Sequence, residues 1–260
     1  MILFPKSKIN AGLQIIEKRP DGYHNLESLF LGLSQLSDIL EIVESDKLSL
    51  SLYGMVPDCR IEQNLCVRAY RLLECDFNLP PVEIHLHKNI PTGAGLGGGS
   101  SDGAAALIIL NRLFCLGLDN QALADYASRI GSDCPYFIFA NQSPAESLTP
   151  MLVSGRGELL EPVEVPALEG VLVKIETPNV FISTAEAYRG VVPEKPQIPL
   201  RELLKLPLDE WRGAIKNDFE KTLFEKYPQL AECKESLYNR GAIYASMSGS
   251  GSSVFGLFAK

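Results

Sequence analysis

Residues 91–107 read PTGAGLGGGSSDGAAAL: five glycines between Gly93 and Gly99, two serines, and a run of small and apolar residues. The stretch before it, VEIHLHKNI, alternates as a strand does, and the residues after it, DGAAALIILNRLFCLG, are apolar at helical spacing. A glycine-rich loop between a strand and a helix suits an anion. Glycine permits positive φ and lets backbone N–H groups approach closely. The helix start adds unsatisfied N–H groups and a partial positive charge of about half a unit. Ser100 or Ser101 is placed to cap that helix, and Gly117 to end it.

Inside the loop, GAGLGG matches the dinucleotide pattern G-x-G-x-x-G, and nothing matches a Walker sequence ending in Gly-Lys-Ser/Thr. The dinucleotide reading needs an acidic residue at the end of a second parallel strand. Asp119 lies about 20 residues downstream, as that pattern asks, but in a turn between two expected helices. The loop therefore reads as a phosphate cradle of another kind.

The 260-residue chain is long enough for a large core. Its 24 basic and 32 acidic residues give a net charge of −8, which argues against a general nucleic-acid binder. No run of about 18 apolar residues is present, so no membrane span is expected. MILFPKSKIN does not resemble a secretory signal, and a cytoplasmic location is expected. The cysteines at 59, 66, 75, 115, 134 and 233 form no C-x-x-C pair or metal-ligand spacing and are expected to be reduced and mostly buried. His85 and His87 share one strand face and read as surface residues.

Strands are expected at SKINAGLQIIEKR, DILEIVES, LSLSLYG and VEIHLHKNI in the first half, and at GVLVKIE and SSVFGLFA in the second. Helices are expected from Asn64, a candidate N-cap, to Cys75, at NQALADYASRIG, and near STAEAYRG, PLDEWRGAIK and QLAECKESLYNRG. NQSPAESLTP reads as a linker near residue 150. Four polar segments stand out. PKSKIN puts Lys6, Lys8 and Asn10 on one strand face. DGYH (21–24) is a turn presenting a phenol and an imidazole. GSDCPYF carries Asp133 just beyond a helix end, and SMSGSGSSVFG (246–256) is a second Gly/Ser loop.

Together these segments resemble the GHMP small-molecule kinases. The motif order is the family's: a lysine-bearing N-terminal strand, P-x-x-x-G-L-G-G-G-S-S, and a C-terminal G-S-G loop. SKINAGLQIIEKRPDGYHNLESLF, NLCVRAYRLL, SGRGELLEPV, NDFE and MSGSGSSVFG are similar to the branch acting on CDP-methylerythritol in the non-mevalonate isoprenoid pathway. The resemblance implies an α+β, two-domain fold: an N-terminal ATP-binding domain (1–152) with a left-handed β-α-β unit, a smaller α/β domain (153–260), and an active site between them. It implies transfer of the γ-phosphate of ATP, with Mg²⁺, to the acceptor's 2-hydroxyl. Asp133 matches the family's catalytic aspartate and Lys8 its paired lysine. Asn10 would hold the acceptor, His24 would read the cytosine edge, and Tyr23 and Tyr188 would stack on opposite faces of the base. The ATP phosphates would be wrapped by Pro91, Gly93, Ala94, Gly95, Leu96, Gly97, Gly98, Gly99, Ser100 and Ser101, with Asn64 and Lys88 along the adenosine side. A hydroxyl at Ser100 or Ser101 would be the protein's contact to Mg²⁺.

Two rivals remain open. One is a family kinase for another small alcohol, such as homoserine or mevalonate, for which DGYH and Tyr188 would have no use. The other is a nucleotide-binding module without catalysis, in which Lys8 and Asp133 would have no reason to occur together. Three departures accompany the resemblance. Tyr188 stands where some relatives carry Phe. The chain ends at Lys260, directly after a strand, which leaves open how the second domain is closed. NQSPAESLTPML is longer than in some relatives, and no function is read for it. The sequence does not give the oligomeric state.

Overall fold

In the computed structural model, residues 1–55 and 60–260 are described; Cys59 falls outside them. The strand leading into the glycine loop, Val82–Lys88, shows why this part of the chain folds as it does. Val82, Ile84, Leu86 and Lys88 are buried, while Glu83, His85 and His87 face outward, so one side of the strand must be covered. It pairs antiparallel with Ile39–Glu44 and parallel with Ser49–Gly54, and Ile2–Leu3 completes a four-stranded sheet. The parallel pair is joined through the helix Leu65–Phe77, making the expected β-α-β unit. Asn64 caps that helix as the sequence suggests, its side chain accepting from the Cys66 N–H at 2.9 Å.

The helix after the glycine loop, Gly98–Leu113, is buried on nearly every side from Ser101 to Leu110. A helix apolar all round belongs inside a core. It starts earlier than expected. Gly97, at φ 73°, is the cap, and its carbonyl accepts from Ser101 N–H, so Ser100 and Ser101 lie within the first turn. It also stops earlier, because Cys115 turns left-handed at φ 51° before Gly117 is reached. Asp119 caps the helix Asn120–Ser128 by accepting from Ala122 N–H, a local duty consistent with the rejected dinucleotide reading. An unexpected short helix, Cys134–Ala140, follows Asp133. Its residues are nearly all buried, so it lacks the polar face that makes a helix legible.

By contacts the chain divides into two interleaved units. One comprises residues 1–8, 32–92 and 97–149, and the other residues 9–31, 93–96 and 150–260. The last crossing falls between Thr149 and Pro150, and residues 9–31 and 93–96 group with the C-terminal part. In the second unit, the portion of strand His24–Ser37 that belongs to it pairs with Met151–Ser154, which pairs with Leu159–Pro162. A separate sheet runs Tyr244–Met247, Val254–Phe258, Leu172–Glu176. Leu13, Ile15, Leu26, Ile182, Ala187, Phe219, Leu223, Leu230 and Met247 form a core cluster.

PLDEWRGAIK is not a continuous helix. Arg212 (ψ 115°) and Gly213 (φ 87°) break it just after Trp211, whose ring is fully buried and donates from Nε1 to Leu206 O at 3.0 Å. Anchoring the indole outweighs continuing the helix. The helix Glu220–Lys226 that follows was not expected. Of the described thiols, Cys66 and Cys134 are buried, Cys233 is half-buried, and Cys75 and Cys115 are exposed, so burial is less general than the sequence suggests. Among the described residues no helix is long and apolar enough to cross a membrane.

Candidate active site

The glycine loop follows a path that side chains would block. Gly93, Gly95 and Gly97 have φ of 70°, 77° and 73°, a region L residues rarely enter. Between them Ala94 and Leu96 are buried and anchor the loop. A Cβ on Gly95 would collide with the Ser248 carbonyl oxygen, and one on Gly97 would lie 2.8 Å from Phe137 Cζ. Gly99 has no neighbour within 4 Å of a built Cβ, and it begins the open side of the loop with half-buried Ser100. Ser101 is fully buried. Its Oγ donates to Asn141 Oδ1 at 3.2 Å, and Asn141 also accepts from Lys6 N–H and donates to Ser101 O. Of the two candidate hydroxyls, that of Ser101 is therefore engaged in holding Asn141.

Beneath the start of the loop helix sits a buried charge cluster. Lys88 Nζ donates to Asp102 Oδ2 at 2.6 Å and to Asp38 Oδ2. Asp38 Oδ1 accepts from the Asn89 and Ile90 N–H groups at 2.6 and 2.8 Å. Burial works against the Lys88 charge, but the two carboxylates outweigh it and raise its pKa. Burial pushes the Asp102 carboxyl well above the usual carboxylate range, against the pull of Lys88. The Lys88 ammonium, expected along the adenosine side, is thus directed at two aspartates, 3.2 Å from where a Gly98 Cβ would lie. Neither Asp38 nor Asp102 was singled out from sequence; only Asp102, next to SS in the loop motif, carried any signal.

Lys8 and Asp133 come together as expected, with Nζ 3.6 Å from Oδ2 and side-chain exposures of 4% and 32%. Asp133 precedes the helix Cys134–Ala140 but makes no side-chain cap bond, so its carboxylate is not used up locally. Burial lowers the Lys8 pKa, and the Asp133 charge opposes that shift. The pair offers a half-exposed acceptor oxygen beside a desolvated ammonium. Lys6, on the same strand, turns instead to the Ser143 and Pro144 carbonyls at 2.9 Å.

The remaining candidates belong to the second unit. Asn10 is buried; Nδ2 donates to Ser28 Oγ at 3.0 Å and its N–H donates to Ser248 Oγ at 3.3 Å. DGYH forms the turn between two strands, closed by Gly22 N–H to Arg19 O at 3.1 Å and Arg19 N–H to Tyr23 O at 2.8 Å. His24 stacks on Tyr188, ring centres 4.9 Å apart and planes at 27°, and Tyr188 meets Phe219 edge-on. Burial and the nearby Lys18 charge lower the His24 pKa, favouring neutral imidazole. Tyr23 lies in the same turn. It stays 56% exposed, with the Arg156 guanidinium 5.1 Å from its ring centre. Arg156 was not anticipated, since an arginine in a Gly-rich turn carries no pattern of its own.

Known proteins resemble this chain in both halves. Family models for the GHMP kinases N terminal domain and the GHMP kinases C terminal domain match residues 64–141 and 200–260. A 4-diphosphocytidyl-2-C-methyl-D-erythritol kinase of Bacteroides thetaiotaomicron is 48% identical over 262 residues, covering 99% of this chain and 92% of that protein. A crystal structure of 4-(cytidine 5'-diphospho)-2C-methyl-D-erythritol kinase superposes with a TM-score of 0.78 at 31% identity, over 99% of this chain and 90% of the other. A mevalonate kinase structure, at 16% identity and a TM-score of 0.66 over 99% of this chain and 91% of its own, shares the fold. With likeness of this extent running through both halves, the chain belongs to the GHMP kinase family and has its two-domain α+β fold.

Proposed function

We propose that this protein transfers the γ-phosphoryl group of ATP to the 2-hydroxyl of 4-diphosphocytidyl-2-C-methyl-D-erythritol, giving the 2-phosphate and ADP. The observation that carries the acceptor's identity is the His24–Tyr188 stack beside the DGYH turn. Such a ring pair suits a nucleobase and would serve neither homoserine nor mevalonate. Full-length likeness to enzymes named for that acceptor supports the same reading.

Phosphoryl transfer passes through a loose, charge-spread transition state, so the protein's task is alignment and electrostatics. Asp133 orients the acceptor hydroxyl and takes its proton as the new phosphate ester forms. Lys8 stabilises the negative charge that develops on the transferring group. Backbone N–H groups from Gly93 to Ser101 hold the nucleotide phosphates, with Asn64 and Lys88 assigned to the adenosine side, where Lys88 acts by holding the loop helix in place. Asn10 steadies the acceptor. Neutral His24 presents one donor and one acceptor nitrogen to the edge of the base. Tyr188 supplies one stacking face and Tyr23 the other.

Among the described residues no group of three or more His, Cys, Asp or Glu could hold a metal ion. Mg²⁺ commonly keeps substrate phosphates and water as most of its ligands, which fits a loop whose open side offers chiefly the Ser100 hydroxyl. When bound, the ion would neutralise charge on the β- and γ-phosphate oxygens.

A coupled ADP-release assay over a panel of alcohols tests the function. Turnover is expected with CDP-methylerythritol; turnover with mevalonate or homoserine in its place would overturn the assignment.

A further inference from the structure

The segment NDFE, residues 217–220, takes no part in the steps above, yet it grips the second Gly/Ser loop from two sides. Asn217 is 2% exposed, and Nδ2 donates to both Met247 O and Gly249 O at 2.8 Å. Its Oδ1 accepts from Phe219 N–H at 3.0 Å, which fixes which way the amide faces. Glu220 Oε1 accepts from Ser246 Oγ at 2.9 Å and Met247 N–H at 2.8 Å, while Lys234 donates to Oε2 at 2.6 Å. Between these anchors lies Ser248. Its Oγ donates to Gly95 O at 2.8 Å and accepts from Asn10 N–H at 3.3 Å. Ser253 N–H adds a bond to Ala94 O at 3.0 Å.

A chain of hydrogen bonds thus runs from Asn217 through the turn 247–249 to two groups with different duties in the proposed reaction: Gly95, in the donor loop, and Asn10, on the acceptor side. Only a primary amide at position 217 supplies two N–H groups to two carbonyls while accepting a third bond. We propose that Asn217 is a positioning residue for phosphoryl transfer, setting Ser248 so that donor loop and acceptor are held in register. This rests on the kinase reading and not on which alcohol is the acceptor.

A register error of about 1 Å costs on the order of 100-fold in rate, and a misaligned acceptor lets water attack the γ-phosphorus in its place, releasing ADP and inorganic phosphate. The readouts are therefore kcat, KM for ATP, and the ratio of ADP released to acceptor phosphorylated, measured with whichever alcohol the wild type phosphorylates. A wrong acceptor assignment then leaves the test intact. For Asn217→Asp, whose carboxylate faces two carbonyls, kcat is expected to fall about 10- to 100-fold, with KM for ATP changed less than about threefold and the ADP-to-product ratio raised. Ser248→Ala, a milder change, should shift both quantities in the same direction. The control is Asp218→Ala, which removes the bond from Ile15 N–H to Asp218 Oδ2 and touches neither loop; it should lower Tm and leave the ratio at the wild-type value. An unchanged kcat and ratio in folded Ser248→Ala and Asn217→Asp would overturn the proposal, and so would an equal rise of the ratio in Asp218→Ala.

Discussion

On the proposed reading, the donor loop and the acceptor turn would recognise their ligands by opposite means. Residues 93–99 offer backbone: three glycines at positive φ, alternating with buried Ala94 and Leu96. Residues 21–24, with Tyr188, offer side chains at the edge of a hairpin, and Tyr23 is more than half exposed. A phosphate is the same in every nucleotide, so rigid backbone amides suffice for it. A base must be told from other bases, which takes directional side-chain groups and ring faces. The donor end should therefore fail in rate, and the acceptor end in affinity and choice of substrate.

Substitutions at four positions probe that contrast. Asp133→Ala should have the largest effect, lowering kcat by about 1,000-fold, as loss of a general base does, while equilibrium binding of ADP persists. Loss of ADP binding in the same variant would assign Asp133 to the donor instead. Gly95→Ala forces a Cβ into the Ser248 carbonyl at φ 77°. It should cost about 100-fold in kcat through displacement of the loop, with Tm lowered and KM for the acceptor little changed. Tyr188→Ala should raise KM for the acceptor by roughly 5- to 150-fold, the value of about 1–3 kcal/mol for one stacked base, with kcat nearly preserved; Tyr188→Phe should restore most of the affinity. Arg156→Met, which removes the cation over Tyr23, should raise the same KM only about two- to fivefold.

The acid limb of the pH profile separates the two ends further. His24 has its pKa lowered, so its neutral form persists below the ordinary value of about 6.5. Acceptor KM should stay flat through pH 6.5 and rise only at lower pH, as imidazolium loses the acceptor lone pair. The same shift means that the unfolded chain takes up this proton more readily than the folded one. The His24 contribution is therefore present above the unfolded pKa and is lost as pH falls through the folded one. His24→Gln should flatten the acceptor's acid limb and leave KM for ATP unaffected.

The same contrast decides what could be read from the sequence. Glycines that adopt dihedrals forbidden to other residues leave a mark in composition, so the left-handed path of the loop was legible, as were the Asn64 cap and the approach of Lys8 to Asp133. Partners distant in sequence leave no such mark. Asp38 lies fifty residues before Lys88, and nothing in LSQLSDILEI announces that its carboxylate will be buried against it. The helix Cys134–Ala140 was missed because burial on nearly all sides erases helical periodicity. PLDEWRGAIK misled in the other direction, since Trp211 takes a place in the core that a straight helix would not allow. At the acceptor turn the residues were visible but their local contacts were not: His24 stacks on Tyr188, and the Arg156 guanidinium lies over Tyr23.

The most direct test compares two acceptors that differ only in the base: the cytidine and uridine diphosphate esters of methylerythritol, at saturating ATP. A site that reads the edge of cytosine through neutral His24 predicts kcat/KM at least about 100-fold higher for the cytidine ester, as sites built around hydrogen bonds reject mismatched partners strongly. Equal kcat/KM for the two esters would contradict it.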